Sequence, residues 1–527
     1  MTSALPLLLT VAAFVAVVLF CRHAWVTGRP AWLARFLFDD DGALTSIIGT
    51  SIKVPGVYMK VTLGVGTQSA AAGAKKVILF GNKTSAGTAV VATPYPVTSI
   101  DDARTLFGAG SELFLMCKYA LNAYPAITLY GICIAASGGT AANDDIVFSG
   151  TASADGVYEV TVLDETIQVE VDSGATATAI GDLVEAAINA KTDWPVTANN
   201  STGTVTVTAK HAGPRGNQIR ILSSGDIAGI TETHLNGYLS SGATMDDPQN
   251  ALDAIASTRY QILVAPYQDA TGLADFKTHI ANVSGPLEGK RGRYIAGSID
   301  TYANTVTVAT GLNDARGQIV WHYNGWQTAA IVAAVAAAET VEAYEADRAA
   351  NTDGLFLRGL TPQPALADKP TFTELNGCLN NGITPVDHDG TLCEIVRNVT
   401  LRSLNDSAAP DFAVIDVHYV EVADAVADDI AGNFLSVFSG FKLDTDVEGE
   451  VPDPGVATPS TVKDFIFSRL KFYARGGGGP LWLSNVDELA DSLVVEADGA
   501  AAGRVNASIP IDPVELLHQG SFDVRSL

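Results

Sequence analysis

The chain has 527 residues and a formal net charge of −26, from 32 basic and 58 acidic side chains. Apolar residues make up 47% and charged residues 17%, a composition that folds rather than stays disordered, over a length that suits about two to four domains. The acidic balance argues against nonspecific binding to nucleic acid or to an anionic membrane, both of which need clustered Lys and Arg. Five cysteines (Cys21, Cys117, Cys133, Cys378, Cys393), odd in number and widely spaced, read as reduced thiols of a cytosolic context rather than a disulfide framework.

Residues 4–20 are almost uniformly apolar and are followed by Arg22, Arg29 and Arg35. The run is at the short limit for a membrane helix and long for a signal-peptide core, and no clear cleavage site follows. If it inserts, the arginines favour a cytoplasmic C-terminal side. The expectation is an upstream extension, with the working chain starting near residues 42–46, in preference to an anchor. Next, Ile52, Val54, Val57, Tyr58 and Val61 surround Pro55-Gly56; proline removes a ladder donor, so this extended segment suits an arm or an edge. Lys75 to Gly81 reads as a buried strand. Ser99 is a plausible N-cap with Asp101 and Asp102 in the first turn, giving a helix that breaks at Phe107-Gly108. A second helix spans 111–123 and a strand 128–135, the order of an α/β layer.

Composition changes at Ser137-Gly138-Gly139. Residues 145–224 are rich in Thr and Val with period-two alternation, as in Ile167, Val169, Val171 and Val205, Val207, interrupted by one helix at 177–190. Residues 141–243 hold 4 basic and 13 acidic side chains, and they read as a mostly β insertion. The α/β pattern resumes with helix 248–257, strand 260–265, helix 271–283, strand 294–299 and an Ala-dense core helix at 326–349. A mixed region from 381 onward contains an amphipathic helix at 462–474, the Gly476 to Gly479 loop, a strand at 504–509 and an extended tail. The fold class is thus α+β and α/β multidomain: an α/β core, a mostly β inserted domain, a mixed C-terminal domain, and extended N- and C-terminal arms.

Chemistry is sparse. Phe80-Gly81-Asn82-Lys83-Thr84 resembles the end of a phosphate loop, but Lys76 stands where that motif needs glycine. His388, between Asp387 and Asp389 with Cys378 and Cys393 nearby in sequence, lacks the close ligand pairs of a zinc site and reads as an exposed loop. Asp424, Asp428 and Asp429 space like a solvated helix face. No catalytic, metal or cofactor constellation emerges, and an enzyme is not expected. One feature stands apart: residues 381–527 hold 9 basic and 24 acidic side chains, yet Lys463, Arg469, Lys471 and Arg475 cluster against Asp464 alone. With Phe465, Ile466, Leu470 and Phe472 as the apolar face, this is either an ordinary surface helix with cations near its C-terminus or a contact for an acidic partner.

The residues also resemble a family. Val54-Pro55-Gly56-Val57-Tyr58 opening an arm is similar to the start of contractile tail sheath subunits, especially those of Mu-like phages. So are the strand Val77 to Gly81, Pro96-Val97-Thr98-Ser99, and Ala103-Arg104-Thr105-Leu106-Phe107-Gly108-Ala109-Gly110-Ser111. The insertion (Ile188-Asn189-Ala190, Pro195-Val196-Thr197, Thr208-Ala209-Lys210-His211-Ala212-Gly213) and the closing Arg504-Val505-Asn506 with Ile509-Pro510 add to it. The resemblance covers about residues 46–527; the leader departs from it.

What the resemblance implies is a structural subunit that polymerises as stacked hexameric rings around a tail tube and contracts without nucleotide. Arms lend strands to neighbouring copies, with Val54, Pro55, Gly56, Val57, Tyr58, Phe522 and Val524 as the exchanged residues. The implied layout is a leader (1–41), an N-terminal arm (42–70) and a core (71–140 plus 244–380). An outer insertion (141–243) and a tube-facing domain (381–527), ending in the exchanged arm, complete it. Lys463, Arg469, Lys471 and Arg475 become the expected tube contact. Implied partners are the chain itself, the tube protein, the baseplate and the tail terminator. Nucleic acid is not contacted directly, and a membrane only if the leader is an anchor. The implied location is the virion tail, assembled in the host cytoplasm. Rival readings are the sheath of a non-phage contractile injection system, tethered through residues 4–20, an α/β enzyme with a β insertion, and a membrane-anchored adhesin.

Overall fold

The computed structural model describes residues 57–59, 74–411, 414–448 and 451–519. The apolar leader, most of the expected N-terminal arm with Val54, Pro55 and Gly56, and Phe522 and Val524 lie outside the described residues. Among the described residues the chain divides into a larger unit, within 59–429, 473–484 and 512–519, and a smaller one, within 57–58, 430–472 and 485–511.

In the larger unit, Lys76–Gly81 (β1) carries Val77, Ile78, Leu79 and Phe80, all fully buried, as expected of a parallel strand covered on both faces. It pairs in parallel with Thr128–Cys133 (β3) on one side and Ile262–Ala265 (β12) on the other. Arg293–Ser298 (β13), Gly317–Trp321 (β14) and Thr384–His388 (β16) continue the parallel sheet. Antiparallel strands close its edges: Pro94–Val97 (β2) beside β3, and Cys393–Ile395 (β17) with Leu355–Phe356 (β15) beyond β16. The order among these nine strands therefore reverses at β1.

Helices cover both faces. Ile100–Phe107 (α1) starts at Ser99, whose side chain accepts from the Asp102 amide, and ends at Gly108 with φ 81°. Glu112–Ala123 (α2) is capped in the same way by Ser111. With the Ala-rich helix Ala329–Ala346 (α7), α2 covers the face carrying Val77 and Leu79. Gln249–Ile255 (α4), Ala270–Val283 (α5) and Tyr302–Leu312 (α6) cover the face carrying Ile78 and Phe80. A Cβ on Gly297 of β13 would lie 2.0 Å from the Ala329 carbonyl oxygen, so α7 rests directly on the strand backbone. Phe372–Asn380 (α8) leads into β16.

Between β3 and α4 the chain forms two four-stranded antiparallel sheets. Ile230–Thr233 (β10), Ala141–Gly150 (β4), Thr204–Ala212 (β8) and Val196–Ser201 (β7) make one. Asn236–Tyr238 (β11), Arg220–Gly225 (β9), Gly156–Val162 (β5) and Glu165–Val171 (β6) make the other. The alternating Val and Ile positions point inward, and Ala177–Ala190 (α3) packs Ile180, Val184 and Ile188 into the same core.

The smaller unit contains the pair Lys442–Leu443 (β18) and Val456–Ala457 (β19), the helices Pro459–Phe472 (α10) and Val486–Leu489 (α11), and the antiparallel pair Val494–Ala497 (β20) and Val505–Ser508 (β21). The division of the chain falls inside the long helix Val417–Phe438 (α9). The structure thus places a boundary differently from the expected one at 380/381. β16 pairs with β14 and β17 with β16, so this stretch belongs to the large sheet, as do 473–484 and the start of the C-terminal segment to the larger unit.

Candidate functional site

The expected cation cluster lies mainly on α10. Val462, Ile466 and Leu470, spaced four apart, form its buried stripe, whereas Phe465 is half-buried and Phe472 exposed. At about 100° per residue, Lys463 and Arg469 flank that stripe on opposite sides and Lys471 points away from it. Lys471 Nζ is 2.6 Å from both Asp487 carboxylate oxygens, and the Arg469 guanidinium stands 5.3 Å from the Phe472 ring centre. Arg475 is exposed beyond the helix end, in the segment belonging to the larger unit. On α10 itself, Lys463, Arg469 and Lys471 therefore do not lie on one helix face.

Of the expected arm residues, Val57 and Tyr58 are described, half-buried and outside any helix or strand. At the other end, Pro513 bridges to Leu483, and the Val514 amide donates to the Trp482 carbonyl at 3.1 Å. His518 lies between Asp353 and Asp416, at 2.5 and 3.3 Å, and so ties down the chain just before its last residues.

In open α/β sheets, ligands enter where the strand order reverses, at the carboxyl ends of the strands. Here that place is occupied by Arg215, from the turn Pro214–Gln218 of the inserted sheets. Arg215 Nε donates to Glu112 Oε1 at 2.9 Å and Nη2 to Asp246 Oδ2 at 3.0 Å. Nη2 also donates to Asn82, just past the end of β1, and the guanidinium stacks 4.9 Å from the Tyr267 ring centre. Arg215 and both of its charged partners are buried. The Asn82-Lys83 turn that resembled a phosphate loop is thus part of a protein-internal ion cluster.

At the opposite, amino-terminal ends of the same strands lies the first half of α9. Glu421, Asp424 and Asp428 share one helix face and meet cations at the strand starts. Arg293 Nε donates to Glu421 at 2.8 Å, and Lys75 pairs with the same carboxylate. Arg316 grips Asp424 through two 2.7 Å bonds; Arg291 and Arg259 hold Asp428 at 2.5 and 2.8 Å. Burial alone would raise the Glu421 carboxyl, but Lys75, Arg293 and Arg348 outweigh it and hold it well below the usual carboxylate range. Burial lowers Lys75 to about 8 against the pull of Glu421. The reading of Asp424, Asp428 and Asp429 as a solvated face is corrected: Asp429 is buried, and the cations that hold Asp424 and Asp428 lie more than a hundred residues away, invisible to local spacing. The i, i+3, i+7 repeat of acids among apolar residues was the available signal.

His388 is likewise corrected. It ends β16, is buried, and its Nδ1 accepts from the Gly390 amide at 3.0 Å, so it is no exposed loop residue. Cys117, Cys133, Cys378 and Cys393 are buried free thiols. Among the described residues, no group of His, Cys, Asp and Glu could hold a metal ion, and no helix is long and apolar enough to cross a membrane.

No family model matches the chain. The tail sheath protein of the Mu-like prophage FluMu of Haemophilus influenzae is 23% identical over 469 residues, covering 87% of this chain and 94% of that protein. The chain is a relative of a Mu-like tail sheath protein. Among solved structures, a sheath tail protein of Desulfitobacterium hafniense is similar, at 14% identity and TM-score 0.45, over 88% of this chain and 100% of that one. The contracted helical sheath of the anti-feeding prophage is similar at 11% identity and TM-score 0.42, over 90% and 99%.

Proposed function

We propose that this chain is a structural subunit, not an enzyme, of a contractile phage tail sheath. It polymerises as stacked hexameric rings around a tail tube and contracts to drive the tube through the host envelope. The observation that carries the reading is the sequence relationship to a tail sheath protein across nearly the whole of both chains. The plugged switch point supports it, because Arg215 fills the crevice an α/β enzyme would keep open.

In this reading the arms around Val54 to Tyr58 and Phe522 to Val524 add strands to neighbouring copies. Two-stranded sheets are marginal alone, and β18–β19 and β20–β21 are two-stranded among the described residues, so added strands would complete them. The inserted sheets face outward, and the domain containing α10 faces the tube, with Lys463, Arg469, Lys471 and Arg475 as its cations. The partners are further copies, the tube protein, the baseplate and the tail terminator, in a virion tail assembled in the host cytoplasm. The apolar run 4–20 favours one alternative, a membrane-tethered sheath of a non-phage contractile injection system.

Sedimentation of the purified full-length chain over a concentration series tests the reading. Large, pelletable polymer above a critical concentration is expected; a monomer at every concentration contradicts it.

A further inference from the structure

The amino-terminal edge of the large sheet also lines an open cavity of about 210 Å³. Among the described residues its wall carries five cations, Lys75, Arg259, Arg291, Arg293 and Arg348, against three carboxylates, Glu421, Asp424 and Asp428. Asp424 is already held by Arg316 from outside that wall. The described lining of the cavity therefore has a surplus of positive charge, in a chain whose net charge is −26. Buried charge is costly unless paired.

Two of the donors point to what would balance it. Arg293 spends Nε on Glu421 and Nη1 on Gln318, while its buried Nη2 has no acceptor among the described residues. Arg291 spends Nη2 on Asp428, and its buried Nε likewise has no acceptor among them. Both residues are more than nine-tenths buried. A buried N–H without an acceptor is costly, more so when charged, and guanidinium donors match the oxygens of carboxylate and phosphate. We infer that this cavity is a binding site for a small oxyanion, with Arg291 and Arg293 as its principal donors and Lys75, Arg259 and Arg348 supplying the field. A dissolved phosphate and a carboxylate of another polypeptide segment present the same oxygens to it.

The test titrates the full-length chain at neutral pH and constant ionic strength with inorganic phosphate and, separately, acetate, following heat of binding and melting temperature. Wild type should show saturable binding and a rising melting temperature. Arg293→Lys, which keeps the charge that Glu421 needs, should bind at least tenfold more weakly. Arg291→Gln, whose partner Asp428 is partly exposed and tolerates the loss, should do the same, so the site remains readable if one variant fails to fold. Saturation by phosphate alone assigns a dissolved phosphate, and saturation by acetate as well assigns a carboxylate; both uphold the site. Responses no greater than those to chloride, or equal in wild type and both variants, would overturn it.

Discussion

Arg215 Nε and Glu112 Oε1 meet at 2.9 Å, joining a turn of the inserted sheets to the first turn of α2. The pair is buried at the place where the strand order of the large sheet reverses, with Asp246 as a second carboxylate on the same guanidinium. A buried ion cluster of this kind fixes the insertion by geometry, since neither carboxylate can find water if the arginine is removed.

Arg215→Met should accordingly destabilise the chain by about 3–5 kcal/mol, because two carboxylates stay behind in the interior. Adding Glu112→Gln to that variant should recover part of the loss. Urea unfolding of both proteins checks this; an unchanged midpoint in the single variant would show that the cluster does not hold the fold.

His322 gives a pH dependence with a definite sign. It is fully buried at the end of β14, its Nε2 lies 3.1 Å from the Thr361 carbonyl, and burial lowers its pKa from 6.5 to about 4. Between those values the unfolded chain takes up a proton that the folded chain refuses. Stability is therefore intact above pH 6.5 and declines on acidification toward 4, by about 1.4 kcal/mol per pH unit for this site. His322→Gln should flatten the profile by close to one proton. An identical slope in the variant would remove His322 from the account.

Two glycines should respond in opposite directions. Gly297→Ala forces a methyl into the Ala329 carbonyl and should cost about 1–3 kcal/mol. Gly311→Ala, near the end of α6 with open space around it, should gain about 0.5–1 kcal/mol from helix propensity. Thermal melts of the pair distinguish a packed helix–strand contact from a general intolerance of substitution.

The α10 cations carry the proposed tube contact. Lys463→Glu with Lys471→Glu should leave the fold intact, since both side chains are partly exposed and the partner Asp487 lies at the surface. Co-assembly with tube should weaken at low ionic strength and converge with wild type at high salt. Equal co-assembly at both salt concentrations would move the contact elsewhere.

Local signals carried much of the architecture. Ser99 announces α1 because an N-cap acts within its own turn, the Ala-dense run marks α7, and period-two Val and Ile mark the inserted strands. The charge clusters were illegible for the opposite reason. Arg215 lies 103 residues from Glu112, and Arg316 lies 108 from Asp424, so nothing in the spacing of either sequence segment identifies the partner. His388 misled in the same manner: flanking aspartates suggest solvent, yet pairing with Cys393 in β17 buries it. The α10 cations were visible as a composition anomaly, but helical geometry spreads them around the axis.

The most direct test of a self-assembling sheath is negative-stain electron microscopy of the full-length chain beside a variant lacking residues 46–61. Hollow, cog-like cylinders from the full chain, with folded monomers only from the variant, are the predicted result. Monodisperse particles from both, even under crowding, would contradict the account.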